Sequence, residues 1–274
     1  MNSIIVKNVS LKQKMFALKN ISFEVERGTV VGVIGRNGAG KTTLLKCLLN
    51  LYRDMMGNIF LLEQNVLTQD AAIKEQLGVV FDEWHLPLSL KPNDLNKTYK
   101  LLFPTWDEAY YVQLLDELNL PRDKKVETYS RGMRMLLQLV LALSHHPKML
   151  LLDEPTSGLD PVMRQHVLQL LSRYMEDDTN TIFFSSHITN DLEVLADTVL
   201  CLHNGAMLFH ENKDTLLYEY VIASSNTPID GAVAERETAL YTEYLVPRSH
   251  LADTMQHRAV TLDDLLAFFT EPIV

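Results

Sequence analysis

The segment that most constrains the fold is "GRNGAGKT", residues 35–42, which satisfies the pattern G-x-x-x-x-G-K-[ST] in full. The apolar run "VVGVI" comes directly before it, and the helix-like run "KTTLLKCLLNL" overlaps its end. Glycines let such a loop curl so that its N–H groups point inward, and the following helix N-terminus adds partial positive charge. The segment therefore predicts a phosphate-binding loop between a buried strand and a helix, as in α/β folds.

Each part of this loop has an expected contact with a nucleoside triphosphate. Lys41 is expected to reach the β- and γ-phosphates, and the Thr42 hydroxyl is expected to bind Mg²⁺. The backbone of the loop and the start of the helix supply the other predicted nucleotide contacts, which are Gly35, Asn37, Gly38, Ala39, Gly40 and Thr43.

A second candidate site is the segment "MLLLDE", residues 149–154, in which an apolar run ends in two acidic residues. Because neighbouring strand residues point to opposite faces, the carboxylates of Asp153 and Glu154 are expected to point in different directions. Asp153 is suited to hold Mg²⁺, directly or through water, and Glu154 to deprotonate an attacking water. The alternative is a strand end that meets solvent with two surface acids, which the complete phosphate loop disfavours.

Four motifs now stand in a fixed order along the chain: "GRNGAGKT", "YSRGM", "LLLDEPTSGLDP" and "SSH". With them, residues 3–210 resemble the nucleotide-binding subunit of an ABC transporter. The resemblance implies an α/β P-loop NTPase of the ABC ATPase type, with an N-terminal antiparallel β subdomain and a helical subdomain inserted at about residues 85–146. We expect this ATPase domain to occupy residues 1–211.

Residues 212–274 have a different pattern from the preceding chain. "YEYVIASS" and "ALYTEYLV" are typical of strands, and "TLDDLLAFF" is typical of a helix. Thr261 and Asp264 have the spacing of a reciprocal helix cap. We therefore predict a small appended α+β lobe.

The resemblance assigns "YSRGM" to the family's signature motif, which faces the ATP bound by a second ATPase subunit. Ser130, Arg131, Gly132 and Met133 are the expected contacts. The family usually has Leu, Gly and Gln where this chain has Tyr129, Arg131 and Met133. The Y-S-x-G-M form is similar to that of exporters for drugs, peptides or antibiotics.

The resemblance also assigns roles to residues other than those of the signature motif. Ser157 and Asp160 are expected at the dimer interface, and His187 is expected to contact the γ-phosphate as a catalytic residue beside Glu154 and Lys41. Asp82 stands where the family has a glutamine, so it becomes a candidate Mg²⁺ ligand.

Two assignments of aromatic residues have equally plausible core alternatives. Phe16 is the nearest candidate for stacking on adenine, or it belongs to the core. The aromatic and apolar side chains between residues 81 and 106 either line a groove for a helix of the membrane subunit or fill a small core. These side chains are Phe81, Trp84, His85, Leu86, Leu88, Phe103 and Trp106. His145 and His146 are expected on the surface.

Composition restricts the compartment and the partners. The formal net charge of −10 disfavours nucleic acid as a partner. Two cysteines, Cys47 and Cys201, form no C-x-x-C pair, which fits a reducing compartment. Neither a signal peptide nor an apolar run of about 20 residues is found. We expect a cytoplasmic protein bound peripherally to the cytoplasmic face of the membrane.

The resulting expectation is an ATP- and Mg²⁺-dependent ATPase that forms a homodimer or heterodimer and powers a separate integral membrane permease, in the manner of an exporter. Two alternatives are an ABC ATPase that acts on DNA or ribosomes and a nucleotide-binding regulator without hydrolysis. The spacing of Lys41 and Ser130 leaves no room for a long coiled-coil insertion, and the single cassette differs from ribosome-acting members. Glu154 and His187 argue against the regulator.

Overall fold

The computed structural model describes residues 1–68, 70–225, 227–238, 241–251 and 255–270. Its strands form an N-terminal antiparallel sheet, a central sheet and a C-terminal antiparallel sheet. In chain order the strands are β1 (Asn2–Lys12), β2 (Ala17–Glu26), β3 (Val30–Ile34), β4 (Met56–Leu61), β5 (Gln64–Asn65), β6 (Leu77–Val80), β7 (Met149–Asp153), β8 (Thr181–Ser185), β9 (Thr198–His203), β10 (Ala206–Asn212), β11 (Tyr220–Ser225), β12 (Ala234–Glu237), β13 (Thr242–Pro247) and β14 (His257–Ala259).

Helices connect and cover these strands. In chain order they are α1 (Lys41–Leu48), α2 (Asp70–Lys74), α3 (Pro92–Leu102), α4 (Glu108–Glu117), α5 (Arg131–Leu143), α6 (Pro161–Tyr174), α7 (Thr189–Leu195), α8 (Lys213–Glu219) and α9 (Leu262–Thr270). Single 3₁₀ turns occupy Val126–Thr128 and Arg248–His250.

The central sheet has the strand order β10-β9-β3-β8-β7-β6, in which only β10 is antiparallel to its neighbour. Both faces of this sheet are covered, which explains why its strands are apolar without alternation. In β3, Val30 and Ile34 face one hydrophobic core, whereas Val31 and Val33 face the other. The continuous apolar run before the phosphate loop is therefore buried on both sides.

The N-terminal sheet has the order β2-β1-β4-β5 and shares one core with α1 and the central sheet. Leu44, Leu45 and Leu48 of α1 are fully buried in that core. This burial fixes the helix that follows the phosphate loop. Between α1 and the inserted helices, the chain also forms β4, β5 and β6.

The opposite face of the central sheet packs on a second hydrophobic core, in which helices bury their apolar side chains. Helix α5 buries Leu136, Leu137 and Leu139 completely, and it contacts α4, α6 and β6. Because α5 begins at the signature segment, this apolar helix holds that segment against the central sheet.

The C-terminal sheet has the order β12-β13-β11-β14 and packs against α9. Helix α9 begins with the predicted reciprocal cap: the Asp264 amide donates to Thr261 Oγ1 at 3.2 Å, and the Thr261 amide donates to Asp264 Oδ2 at 3.1 Å. Helix α9 also packs on α7, where the Leu262 amide donates to Glu193 Oε1 at 2.9 Å. The C-terminal sheet is thereby connected to the helix that follows His187.

The predicted fold class is confirmed: the chain is an α/β P-loop protein with an antiparallel β subdomain, inserted helices and an additional C-terminal α+β region. The Asn204–Gly205 turn joins β9 and β10, with the positive φ angles of 47° and 76° that a tight hairpin turn requires. In the described part of the chain, no helix has the length and hydropathy needed to cross a bilayer.

Candidate nucleotide site

The phosphate loop lies between β3 and α1, and its glycines adopt the backbone that the sequence predicts. Gly38 and Gly40 have φ angles of 81° and 113°, which a residue with a Cβ atom rarely adopts. Helix α1 begins directly at Lys41, so its first amides face the loop. Lys41 is 7% exposed, and its Nζ donates to the Gly35 carbonyl at 2.8 Å.

The loop borders a cleft of about 620 Å³. Most of the predicted nucleotide contacts line it, together with three residues that the sequence did not single out, Gln13, Met15 and Arg36. The lining residues are Gln13, Met15, Phe16, Arg36, Asn37, Gly38, Ala39, Gly40, Lys41, Thr42, Thr43, Asp82, Glu154, Ser157 and His187. The positive charge of Arg36, inside the loop pattern, was a signal that could have identified it.

Phe16 lies against the phosphate loop rather than deep in the core. A Cβ atom at Gly40 would come within 2.7 Å of Phe16 Cζ. The ring also packs partly against the core shared by α1 and the N-terminal sheet. Phe16 therefore stands at the edge of the cleft, where either predicted role is sterically open to it.

Thr42, which lines the cleft, contacts Asp153 at the end of β7. The Thr42 hydroxyl donates to Asp153 Oδ1 at 3.1 Å, and Ser185 Oγ donates to the same oxygen at 2.7 Å. Mg²⁺ prefers hard oxygen ligands, usually one or two from protein with others from water and phosphate. A hydroxyl and a carboxylate in direct contact beside a phosphate loop fit that requirement, so Thr42 and Asp153 are the residues that would hold Mg²⁺.

Ser185 was missed in the sequence, although a signal for it was present. Strands β7 and β8 run parallel, and Asp153 is paired in register with Ser185. Polar residues at the carboxyl ends of adjacent parallel strands meet at one edge of the sheet. The serines before His187 could therefore have been assigned to the same edge as Asp153.

Glu154 faces two groups that can carry positive charge. Its Oε1 lies 3.4 Å from Lys41 Nζ, and its Oε2 lies 2.5 Å from His187 Nδ1 and accepts from the His187 amide at 3.0 Å. Glu154 has a positive φ of 51°, a backbone conformation that is uncommon outside glycine. Its amide is held there by Ser185, through the carbonyl at 3.2 Å and Oγ at 3.1 Å. The strained backbone directs the carboxylate into the cleft.

A buried network ties the segment after Glu154 to the helix after His187. Asp191 of α7 is fully buried and accepts from Thr156 Oγ1 at 2.5 Å and from Arg164 Nε at 2.5 Å. Residues 154–156 and α7 are thereby held at a fixed separation. This network was not predicted, because its three members lie far apart in sequence.

The signature residues do not line the cleft of their own chain. Ser130 caps α5 by accepting from the Met133 amide at 3.2 Å. Arg131 is exposed and donates to Asp82 Oδ1 at 2.6 Å. A Cβ atom at Gly132 would meet only the side chains of Leu159 and Met163, at ordinary van der Waals distances. The structure thus brings Asp82 to the cleft wall but leaves residues 130–133 outside it.

The two interface candidates after Glu154 are also placed differently. Ser157 lines the cleft, whereas Asp160 caps α6 by accepting from the Val162 and Met163 amides, each at 3.0 Å. The side chain of Asp160 therefore has a local role in starting α6.

Most of the predicted aromatic groove is present beside the helical region. A cleft of about 490 Å³ includes Phe81, Trp84, His85, Leu86 and Phe103 in its lining. Two of the named residues are placed elsewhere. Trp106 donates from Nε1 to Asn96 Oδ1 at 2.8 Å among the packed helices, and Leu88 lies on a neighbouring pocket.

The expectation that His145 lies on the surface was wrong. His145 is 2% exposed, its ring stacks on Phe103 with centroids 4.1 Å apart, and Nε2 contacts the Leu77 carbonyl at 3.1 Å. Burial lowers the pKa of His145 and so favours the neutral ring. Its neighbour His146 is exposed, as expected.

Comparison with known proteins agrees with this architecture. Residues 18–157 match the profile of the family described as ABC transporter. ABC transporter ATP-binding protein YtrB of Bacillus subtilis is 29% identical over 247 residues, which cover 85% of this chain and 82% of YtrB. Bacitracin transport ATP-binding protein BcrA of Bacillus licheniformis is 30% identical over 211 residues, which cover 75% of this chain and 69% of BcrA.

A solved structure of an ATP-binding subunit of an ABC transporter superposes with a TM-score of 0.70 at 25% identity, covering 78% of this chain and 91% of that one. A dimeric ATP-binding cassette in a post-hydrolysis state, bound to ADP and Pi, shares the fold with a TM-score of 0.67 at 21% identity, covering 76% and 98%. Family profile, relatives and fold agree with the geometry of the cleft. The chain belongs to the ABC transporter family as an ATP-binding subunit, an ATPase that uses ATP with Mg²⁺.

Proposed function

We propose that this chain is the ATP-hydrolysing subunit of an exporter, that it works as a dimer, and that it powers a separate integral membrane permease from the cytoplasmic face. The observation that carries the proposal is that Lys41, Thr42, Glu154 and His187 line one cleft. Asp153 lies in hydrogen-bond contact with Thr42 of that lining. A cleft built only to retain nucleotide has no need of the Glu154–His187 pair.

In this proposal the residues divide the chemistry between them. Lys41 and the loop amides bind the phosphates and offset their charge. Glu154 accepts a proton from the attacking water, and His187, which holds the Glu154 carboxylate, contacts the γ-phosphate. Mg²⁺ held by Thr42 and Asp153 would neutralise developing phosphate charge. Glu154 pairs with both Lys41 and His187, which keeps its carboxylate beside the phosphate loop.

The position of the signature segment supports the dimer. Ser130 lies at the start of an anchored helix, outside the cleft of its own subunit. A helix N-terminus with a hydroxyl donor is a site for anions. A head-to-tail pair would let this segment complete the ATP site of the second subunit, and the exposed Arg131 would lie at the same boundary.

Export of drug, peptide or antibiotic-like cargo is proposed from the Y-S-x-G-M form of the signature and from the similarity to a bacitracin transport protein. The groove lined by Phe81, Trp84 and Phe103 is the proposed seat of a permease helix.

The direction of transport is tested with membrane vesicles that contain the permease and either the wild-type chain or Glu154→Gln. Export predicts ATP-dependent accumulation of a bacitracin-type peptide inside inside-out vesicles with the wild-type chain only. Equal accumulation with Glu154→Gln would refute coupling to hydrolysis. ATP-dependent accumulation only in right-side-out vesicles loaded with ATP would establish import instead.

A further inference from the structure

Two residues that depart from the family pattern are in contact with each other. Asp82, which stands at the usual glutamine position, lies just after β6, and Arg131, which stands at a usual glycine position, is the first residue of α5. Arg131 Nη2 donates to Asp82 Oδ1 at 2.6 Å, across 49 residues of sequence. The negative charge of Asp82 and the positive charge of Arg131 thus compensate each other.

The Arg131 guanidinium also lies close to Gly158, in the segment after Glu154. Gly158 has a φ of 67°, and a Cβ atom placed on it would come within 2.8 Å of Arg131 Nη1 and 3.1 Å of Cζ. The guanidinium therefore lies between the Asp82 carboxylate and the Gly158 backbone. A side chain at position 158 would therefore displace the Arg131 guanidinium from this place.

The two charges have different access to the nucleotide. Asp82 lines the cleft together with Lys41, Glu154 and His187. Arg131 instead lines a neighbouring pocket with Asp82, Trp84 and Arg134. An unpaired carboxylate at position 82 would add a negative charge to the wall of a site that must receive a polyphosphate. Arg131 offsets that charge from the neighbouring pocket.

We propose that Arg131 is a positioning residue for the nucleotide site of its own subunit: it holds and neutralises Asp82, and thereby sets the affinity for ATP before any dimer forms. Arg131 acts through Asp82 and not by touching the nucleotide. This cis role adds to the trans contact expected of the signature segment. It rests on ATP binding by this chain and not on export or on a permease.

The proposal makes opposite predictions for the two single substitutions. Arg131→Ala leaves the Asp82 charge uncompensated and weakens ATP binding. Asp82→Asn leaves the Arg131 charge uncompensated and strengthens ATP binding. The double variant restores the charge balance and binds ATP about as the wild type does. A purely structural contact would give losses in both single variants.

The size of the effect follows from the exposure of the pair, whose side chains are 55% and 39% accessible. Exposed ion pairs contribute little, so each single substitution is expected to change the affinity by about 1.4- to fivefold. Salt screens exposed charges over about 10 Å at 0.1 M, so the change shrinks as ionic strength rises.

The test is titration calorimetry of ATP into the full-length variants, at a concentration at which light scattering shows a monomer. EDTA is present in one series, so that any direct Mg²⁺ contact of Asp82 cannot contribute. The matched control is Arg134→Ala: Arg134 lines the same neighbouring pocket, but it donates to the Val126 and Glu127 carbonyls and not to Asp82. Its effect should be unchanged by adding Asp82→Asn.

The result expected is weaker binding for Arg131→Ala, tighter binding for Asp82→Asn and near wild-type binding for the double variant. The proposal is overturned if Arg131→Ala binds ATP as well as the wild type, or if the double variant is as weak as Arg131→Ala. A parallel series with Mg²⁺ separates the role predicted for Asp82 as a metal ligand. That role predicts a higher Mg²⁺ requirement in Asp82→Asn, which the loss of Arg131 would not correct.

Discussion

Asp264 in the first turn of α9 offers a stability prediction whose size follows from its contacts. Arg258 Nη1 and Nη2 donate to its two carboxylate oxygens at 2.7 and 2.9 Å, and Thr261 Oγ1 donates at 2.8 Å. Burial alone would raise the pKa of Asp264, but these hydrogen bonds outweigh it and lower the pKa from its ordinary value of 3.8 to about 2. The charged form is therefore preferentially stabilised in the folded state.

A tenfold change in an equilibrium constant is about 1.4 kcal/mol, so this pKa corresponds to about 2.5 kcal/mol of folding free energy at neutral pH. Because the folded pKa is lower than the unfolded pKa, this stability is fully present above pH 3.8 and is lost as the pH falls through about 2. Asp264→Asn should remove most of it and also weaken the cap of α9.

The assay is hydrogen–deuterium exchange of peptides from residues 257–270, which reports opening of this region directly. Asp264→Asn should accelerate exchange in α9 by roughly 50-fold at pH 7. The matched control is Asp263→Asn, which removes the same charge from an exposed position in the same helical turn. Its effect should stay within about 0.5 kcal/mol. Similar exchange in the two variants would refute the reasoning.

Two further predictions concern the nucleotide site. Asp191→Asn removes the buried charge that pairs with Arg164. It should lower the free energy of unfolding of the ATPase core by about 3 kcal/mol, measured by urea unfolding. A decrease of less than about 1 kcal/mol would show that the network is dispensable. Gly40→Ala should weaken ATP binding more than the matched change Gly38→Ala. Both glycines have positive φ, but only at Gly40 would a Cβ atom meet Phe16 at 2.7 Å, whereas Gly38 has no neighbour within 4 Å. Calorimetry that finds equal losses would contradict this steric reason.

The parts of the fold that the sequence predicted well are those governed by local rules. The continuous apolar runs at Val30–Ile34 and Met149–Asp153 required burial on both faces, and the central sheet supplies it. The Thr261–Asp264 cap depends on residues only three positions apart. Such short-range signals do not depend on knowledge of the tertiary fold.

The features that escaped prediction depend on distant contacts. His145 precedes an exposed histidine and a proline, and only its contacts with Phe103 and Leu77 reveal that it is buried. The contact of Asp82 with Arg131 likewise appears only when β6 and α5 are packed together. The roles assigned to the signature residues depend on contacts with a second subunit and not on contacts within one chain.

In the proposed dimer, the cleft of one subunit and the signature segment of another enclose ATP. The most direct measurement is the solution mass of Glu154→Gln with and without Mg-ATP, since this change removes the proposed proton acceptor while retaining the phosphate loop. Lys41→Ala in the same background is the control, because it removes the loop's phosphate contact. A dimer is expected only for Glu154→Gln with Mg-ATP. A monomer under that condition, with ATP binding verified by calorimetry, would contradict the claim that this chain pairs with itself around ATP.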